Sequence, residues 1–184
     1  MERVLIPHPA SPPSPIRRIR VDAARLIDGR LALVYMAEGD LSRVRIPAGR
    51  APARAGRLWR RTCFEAFLRS PEAEAYVELN FSPSGEWAAW RFDSYRSGMR
   101  QAEIEAPAVE AMAAAGKYLS VTASAALGPL AELVPWESWE IGLAAVIEDE
   151  GGALSHWALV HPPGAPDFHH RDCFAADLAP AASL

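Results

Sequence analysis

Cysteine is scarce in this chain of 184 residues, which contains only Cys63 and Cys173. The two lie far apart and form no Cys-x-x-Cys spacing, so neither a disulfide framework nor a cysteine-built zinc site is indicated. The absence of Cys-x-x-Cys-His also removes the usual attachment motif of covalently bound haem. We therefore expect two free thiols.

Other common motifs are missing as well. There is no Gly-x-Ser-x-Gly elbow and no glycine-rich phosphate loop, which removes the commonest hydrolase and nucleotide-binding signatures. No segment is apolar enough to span a bilayer, and the first residues lack a basic stretch followed by an apolar run and a cleavage site. We expect a soluble, cytoplasmic protein that does not bind membranes.

The chain also lacks an overall positive charge, because 23 Asp and Glu outnumber 19 Lys and Arg to give a net charge of −4. Thirteen arginines do fall within residues 1–61. A polyanion-binding protein is usually basic overall, with aromatic residues among its basic ones. We expect the arginines to pair with the acidic remainder and predict no nucleic-acid binding. No pattern indicates an oligomeric state.

Proline divides the chain. Five of the 16 prolines fall in residues 1–15, where they remove backbone donors and predict an extended or poorly ordered arm. The remaining residues, 16–184, belong to a chain with 50% hydrophobic residues and no internal repeat. They predict one globular domain.

The most informative stretch is residues 76–96, which predicts a hairpin turning at Ser82-Pro83-Ser84-Gly85. Apolar and polar residues alternate on both sides of the turn. If the loop has four residues and Ser82 opposes Gly85, the facing pairs are Asn80 with Trp87, Glu78 with Ala89, and Tyr76 with Arg91. That register predicts Trp90 and Phe92 in the core and Trp87 and Arg91 on a polar face.

Similar alternation predicts further strands at 17–27, 31–36, 41–46, 61–68, 117–127, 139–147 and 154–160. Residues 47–57 predict a loop, and the alanine-rich residues 106–116 favour a helix. Many short strands with frequent turns indicate an all-β protein, with an antiparallel β-sandwich preferred over a closed barrel.

The polar face of the hairpin also carries candidate chemistry. Glu65 is expected beside Glu78, and two neighbouring carboxyl groups can act as acid and nucleophile in glycoside hydrolysis. The stronger alternative is that they pair with Arg61 and Arg91. An enzyme is therefore the less favoured interpretation, and we assign no catalytic residue.

Tryptophan favours ligand binding over catalysis. Trp90 and Trp139 are predicted core residues, whereas Trp59, Trp87 and Trp157 have polar neighbours and could stack on the C–H face of a sugar. Polar side chains of the hairpin and of the following loop could bind the hydroxyl groups. The predicted ligand-binding residues are Trp59, Glu65, Glu78, Asn80, Trp87, Arg91, Tyr95, Arg96 and Trp157.

Histidines near the C-terminus offer an alternative site. His156, His161, His169 and His170 accompany Asp167, Asp172 and Cys173, which are all metal-ligand types. Adjacent histidines on an extended chain point in opposite directions, so His161 and His169 form the weak candidate pair for a divalent metal. The favoured interpretation is a hydrogen-bonded loop without a cofactor.

Three segments resemble the bacterial DOMON-like proteins, which are relatives of the family 9 carbohydrate-binding modules. They are Trp59-Arg-Arg-Thr-Cys-Phe-Glu-Ala-Phe-Leu, residues 76–96 and Leu154-Ser-His-Trp-Ala-Leu-Val-His-Pro-Pro-Gly-Ala-Pro-Asp-Phe-His-His. The resemblance extends from about residue 17 to 178. It implies a jelly-roll-like β-sandwich, a strand at 103–109 and a ligand face for sugar or, as the alternative, haem. In haem-binding relatives Met and His ligate the iron, but Met36, Met99 and Met112 lack an identifying motif.

Overall fold

The computed structural model describes residues 1–71, 73–114, 116–134 and 138–179. Within these ranges the regular structure consists of β-strands and three-residue 3-10 turns, and no helix is long and apolar enough to cross a membrane. The strands are β1 (Glu2–Pro7), β2 (Ile16–Arg25), β3 (Leu31–Gly39), β4 (Cys63–Arg69), β5 (Tyr76–Phe81), β6 (Trp87–Phe92), β7 (Arg100–Gln101), β8 (Ala108–Ala114), β9 (Tyr118–Ala125), β10 (Trp139–Glu148), β11 (Leu154–Ala158) and β12 (Ala176–Leu178).

The strands form an antiparallel β-sandwich, as the alternation predicts. The back sheet has the order β1-β2-β3-β9-β8, and the front sheet has the order β7-β6-β5-β4-β10-β11-β1, with β12 beside the start of β10. Strand β1 joins the sheets, because Glu2–Leu5 pairs with β2 and residues 6–7 pair with β11.

The main core lies between the two sheets and is built from the inward residues of both. Val21, Leu33 and Tyr35 of the back sheet are buried in the same cluster as Phe64 and Leu79 of the front sheet. Because side chains alternate between the two faces of a strand, each central strand directs one face of apolar residues into this core. Because two sheets are packed face to face, the outward side of the front sheet remains available for a site.

Two secondary-structure assignments from sequence are wrong. Residues 41–46 form no strand, because Leu41–Arg43 is a 3-10 turn capped by Asp40. The segment 106–116 was predicted as helix, but its residues Ala108–Ala114 are strand β8, which pairs along its whole length with β9. Sheet pairing outweighs the helix propensity of alanine here. The strand that the resemblance implied at 103–109 begins only at residue 108.

The proline-rich arm is also different from the prediction. Residues 2–7 are strand β1 and contribute Leu5, which is buried, to the core. Pro7 ends this strand, and the other prolines of residues 1–15 all follow it. The prolines therefore terminate the pairing without preventing it.

The central hairpin has a register one residue away from the predicted one. Phe81 faces Trp87, and Ser82 donates its backbone N–H to Glu86 over 2.9 Å. The Gly85 backbone N–H donates to the Ser82 carbonyl, which closes a turn, and Gly85 itself has a left-handed φ of +89°. This left-handed residue makes the hairpin loop one residue longer on the β6 side than predicted. Such a shift exchanges the two faces of the returning strand.

Candidate functional site

A second apolar layer covers part of the outward face of the front sheet. Phe168 and Phe174, from the segment after β11, pack on Phe67, Tyr76 and Phe92 of the sheet. The segment is proline-rich and forms only the short 3-10 turn Arg171–Cys173 before β12. Because it crosses the sheet without pairing along it, it leaves a cavity between itself and the strands.

This cavity has a volume of about 280 Å³, close to the lower end of the roughly 300–1,000 Å³ typical of small-ligand pockets. Its floor is the front sheet, and its walls come from loops before β4 and after β6 and β11. The lining residues are Trp59, Glu65, Glu78, Phe92, Arg96, Met99, Val146, His156, Pro166, Phe168 and His169.

Two carboxyl groups occupy the floor. Glu65 of β4 faces Asn80 of β5 across the ladder, so Glu65 and Glu78 are diagonal neighbours on one face. They are only 2% and 3% exposed. Asn80 donates its Nδ2–H to Glu78 Oε1 over 2.7 Å, whereas Glu65 Oε1 has no hydrogen-bond partner among the described residues. The Tyr35 hydroxyl fixes β4 from the core by donating to the Glu65 backbone carbonyl over 2.7 Å.

Burial changes the protonation of both acids. It raises the pKa of Glu65 well above its usual value, and the neighbouring Glu78 raises it further. Burial also raises the pKa of Glu78 to about 7, although the bond from Asn80 and the charge of Arg96 act in the opposite direction. Both acids therefore favour the protonated form more strongly than an exposed glutamate does, and Glu78 is poised between its two forms near neutral pH.

His169 stands beside this pair. Its Nε2 lies 3.8 Å from Glu78 Oε2, and its Nδ1 is 2.8 Å from the Tyr76 hydroxyl. Phe67 and Phe92 pack against its ring in edge-on orientations. Burial, with the charge of Arg96, lowers the pKa of His169 to about 4, so the ring is neutral at physiological pH. It can offer a polar group to a ligand without adding charge.

Arg96 is held at the opposite wall by a short polar network. Its backbone N–H donates to the Tyr76 hydroxyl, and its guanidinium Nη2 donates to Asp167 Oδ1 over 2.7 Å. Tyr95 donates to the other oxygen of Asp167. Arg96 has a positive φ of 53°, a backbone conformation that costs energy in a residue with a side chain. The network therefore holds a strained residue at the cavity.

Trp59 supplies the aromatic wall. It lies in the 3-10 turn Leu58–Arg60, which Arg57 enters with a left-handed φ of 60°. The preceding Leu58 is buried against Cys63 and Ala88 of the front sheet. This anchor leaves Trp59 half-buried at the rim of the cavity.

The structure brings together four of the predicted ligand-binding residues: Trp59, Glu65, Glu78 and Arg96. Two others lie nearby, since Asn80 donates to Glu78, and Tyr95 donates to Asp167, which also accepts from Arg96. The predicted adjacency of Glu65 and Glu78 is confirmed.

The expected positions of three residues are wrong. Trp87 and Trp157 are buried between the sheets, at 4% and 3% exposure, and Trp157 Nε1 donates to the Ser155 hydroxyl. Arg91 lies on the side opposite to Glu78 and pairs with Glu132 over 2.9 Å, so it does not neutralise the carboxyl pair. The hairpin shift explains Trp87 and Arg91. Alternation in β11 puts His156, and not Trp157, on the cavity side.

Sequence reasoning missed several cavity residues. Phe92 would have been found with the correct register, and His156 with the correct face of β11. Met99, Pro166 and Phe168 lie in segments without regular alternation, so no local pattern identifies them. His169 was proposed as a metal ligand and instead lines the cavity beside Glu78.

The histidines near the C-terminus make separate contacts in the structure. Within the ranges described, no group of three His, Cys, Asp or Glu side chains has an arrangement that could hold a metal ion. His161 Nε2 is 2.9 Å from the Ile6 carbonyl. Met99 and His169 do line the same cavity, but the two ring nitrogens of His169 face Tyr76 and Glu78. This arrangement does not favour iron ligation by His169.

Solved structures with a similar architecture include family 9 carbohydrate-binding modules. A Bacteroides uniformis protein proposed to bind carbohydrate is 13% identical, with a TM-score of 0.68, over 98% of this chain and 86% of that one. A family 9 carbohydrate-binding module from Caldicellulosiruptor kristjanssonii in complex with cellotriose is 9% identical, with a TM-score of 0.59, over 99% of this chain and 84% of that one. A family 9 module from the same organism in complex with glucose is 10% identical, with a TM-score of 0.52, over 91% of this chain and 78% of that one.

These similarities establish the fold: the chain is an all-β sandwich like that of the family 9 modules. No family model matches the sequence, and comparison with curated proteins gives no significant match. At such low identity, the residues of the cavity must be interpreted from their own geometry.

Proposed function

We propose that this protein is a carbohydrate-binding module that holds a sugar, or a sugar-like small molecule, in the cavity on the front sheet. The observation that carries the proposal is the combination of a half-buried tryptophan with buried polar groups in one small cavity. The neighbouring folds and the motifs that resemble DOMON-like proteins support the same ligand class.

The cavity offers the two kinds of contact that a sugar needs. Trp59 provides a flat apolar ring for the C–H face of a pyranose, and Phe92 adds further apolar surface. Glu65 Oε1 provides a buried polar atom without a partner among the described residues. A buried polar group left unpaired is costly, so a ligand hydroxyl that bonded to it would gain correspondingly.

Replacing Trp59 with alanine should remove the stacking surface with little effect on folding, because the ring is half-exposed and its turn is anchored by Leu58. We expect binding of the best sugar from a thermal-shift panel of mono- and disaccharides to weaken by about 1–3 kcal/mol. Isothermal titration calorimetry measures the loss, and the unfolding midpoint without sugar measures the folding effect.

Trp59→Phe is the matched control, since it keeps a ring and should retain most of the affinity. Unchanged sugar binding in Trp59→Ala would place the sugar elsewhere on the protein. A panel in which no sugar shifts the unfolding midpoint would count against carbohydrate binding altogether.

A second candidate is a glycoside-active enzyme. It is favoured by one observation, the adjacent Glu65 and Glu78 with raised pKa values at the floor of a cavity. Hydrolysis of chromogenic glycosides that disappears in Glu78→Gln, while sugar binding is kept, would support the enzyme. Absence of turnover in the wild-type protein, together with sugar binding, would support the binding module.

A further inference from the structure

The described residues give the two cavity carboxyl groups no compensating cation. Among the described residues no lysine or arginine forms an ion pair with Glu65 or Glu78. The predicted partner Arg91 is paired with Glu132. Two buried acids placed side by side are destabilising when both are ionised. A positively charged group bound beside them would stabilise their ionised forms.

The other charged groups around the cavity do not supply that charge. Arg96 lies near Glu78, but its guanidinium is bonded to Asp167 over 2.7 Å and half of its side chain is exposed. Its charge lowers the pKa of Glu78 less than burial raises it. His169 is 3.8 Å from Glu78 Oε2 and is neutral at physiological pH. Burial also lowers the pKa of His156, so this residue too favours its neutral form.

The unpaired polar atom belongs to one of these two carboxyl groups. Glu65 lines the cavity, is 2% exposed, and has one oxygen, Oε1, without a hydrogen-bond partner in the described ranges. An ammonium group carries three N–H donors and could bond to Glu65 and Glu78 together. Charge-assisted bonds of this kind are roughly twice as strong as neutral ones.

From this geometry we infer that the preferred ligand carries a protonated amine, as an amino sugar does, and that Glu65 and Glu78 bind the ammonium group. The inference rests on the proposed sugar-binding function and specifies its ligand class. Trp59 would contact the ring of the same sugar. When the cation binds a protonated carboxyl group, that group ionises and releases its proton to solvent, so the charges balance.

The test compares glucosamine, glucose and N-acetylglucosamine by isothermal titration calorimetry at pH 7. An amino group of this kind is largely protonated at that pH, since its ordinary pKa is about 7.7–8.0. We expect glucosamine to bind about tenfold more tightly than the two neutral sugars, as a charge-assisted bond replaces a neutral one. Titration in two buffers of different ionisation enthalpy should show proton release with glucosamine and none with glucose.

Glu65→Gln provides the matched variant, because it keeps the shape of the side chain but cannot ionise when the ammonium group binds. In this variant the ratio of affinities for glucosamine and the neutral sugars should fall to about 1, and proton release should decrease. Trp59→Ala should weaken all three sugars and leave the preference unchanged.

The outcomes separate the two proposals. Equal or tighter binding of glucose would overturn the amine inference and leave the sugar module standing. Binding of a simple diamine without binding of any sugar would support the amine site and contradict the sugar module. A glucosamine preference that survives in Glu65→Gln would also overturn the inference, and failure of all these ligands would overturn both proposals.

Discussion

Replacing Trp87 with alanine should destabilise the domain by about 3–5 kcal/mol, a large part of the stability of an ordinary domain. The ring is 4% exposed and packs in the core between the sheets. The guanidinium of Arg54 lies 4.4 Å from the ring centroid, and the backbone of Trp87 bonds to Ala53 and Ala55. The loss of the ring therefore removes both core packing and a contact that fastens the loop of residues 47–57.

Urea unfolding followed by circular dichroism measures this loss. Trp90→Ala is the matched comparison, since Trp90 lies three positions farther along the same strand, on the outward face, and is only partly buried. We expect it to cost clearly less than Trp87→Ala. If Trp90→Ala proved the more damaging of the two, the hairpin would have the register of a four-residue loop, and Trp87 would face the ligand.

Replacing Glu78 with glutamine should stabilise the protein increasingly as pH rises. The folded-state pKa of Glu78 is about 7, above the ordinary value of 4.5, because of burial. The native state consequently binds more protons than the unfolded state between these values, and its stability falls as pH rises through them. Glutamine removes this loss, so the variant should gain about 3 kcal/mol relative to wild type between pH 4 and pH 8.

The difference between the two proteins is the quantity to measure, by urea unfolding at several pH values. His169 affects the pH dependence of stability in the opposite direction, because burial lowers its pKa from 6.5 to about 4. Its contribution to stability is present above pH 6.5 and is lost as pH falls from 6.5 towards 4. It is present in both proteins and largely cancels in the difference. The exposed Glu110, replaced by glutamine, serves as the comparison for removing one carboxyl charge. Parallel curves for wild type and Glu78→Gln would contradict the buried, protonated state of Glu78.

The carboxyl pair shows what strand alternation can predict. Glu65 and Glu78 each occupy a position assigned to the polar face of a strand, and β4 and β5 are adjacent in sequence and in the sheet. Sequential antiparallel strands commonly pair, so the two acids could be assigned to one face before any coordinates were known. Their burial could not, because it depends on a segment about 100 positions farther along the chain that covers the sheet.

Trp87 shows the opposite case. Its strand was identified, but its face depended on whether Gly85 closes a four-residue loop or occupies a left-handed position that adds a residue. Both arrangements suit the same turn sequence, and the difference exchanges core for surface. Strand β8 is a similar case, since an alanine-rich segment takes the conformation of the neighbour with which it pairs.

By itself, the sequence determined the all-β class, most strand positions and the placement of Glu65 and Glu78 on one face, because these depend on period-two alternation and on contacts between consecutive strands. Only the tertiary structure decided the hairpin register, the burial of Trp87 and Trp157, and the presence of His156 and His169 in the cavity. These features arise from packing between distant segments, whose free energy depends on what covers each face and not on the residues beside it in the chain.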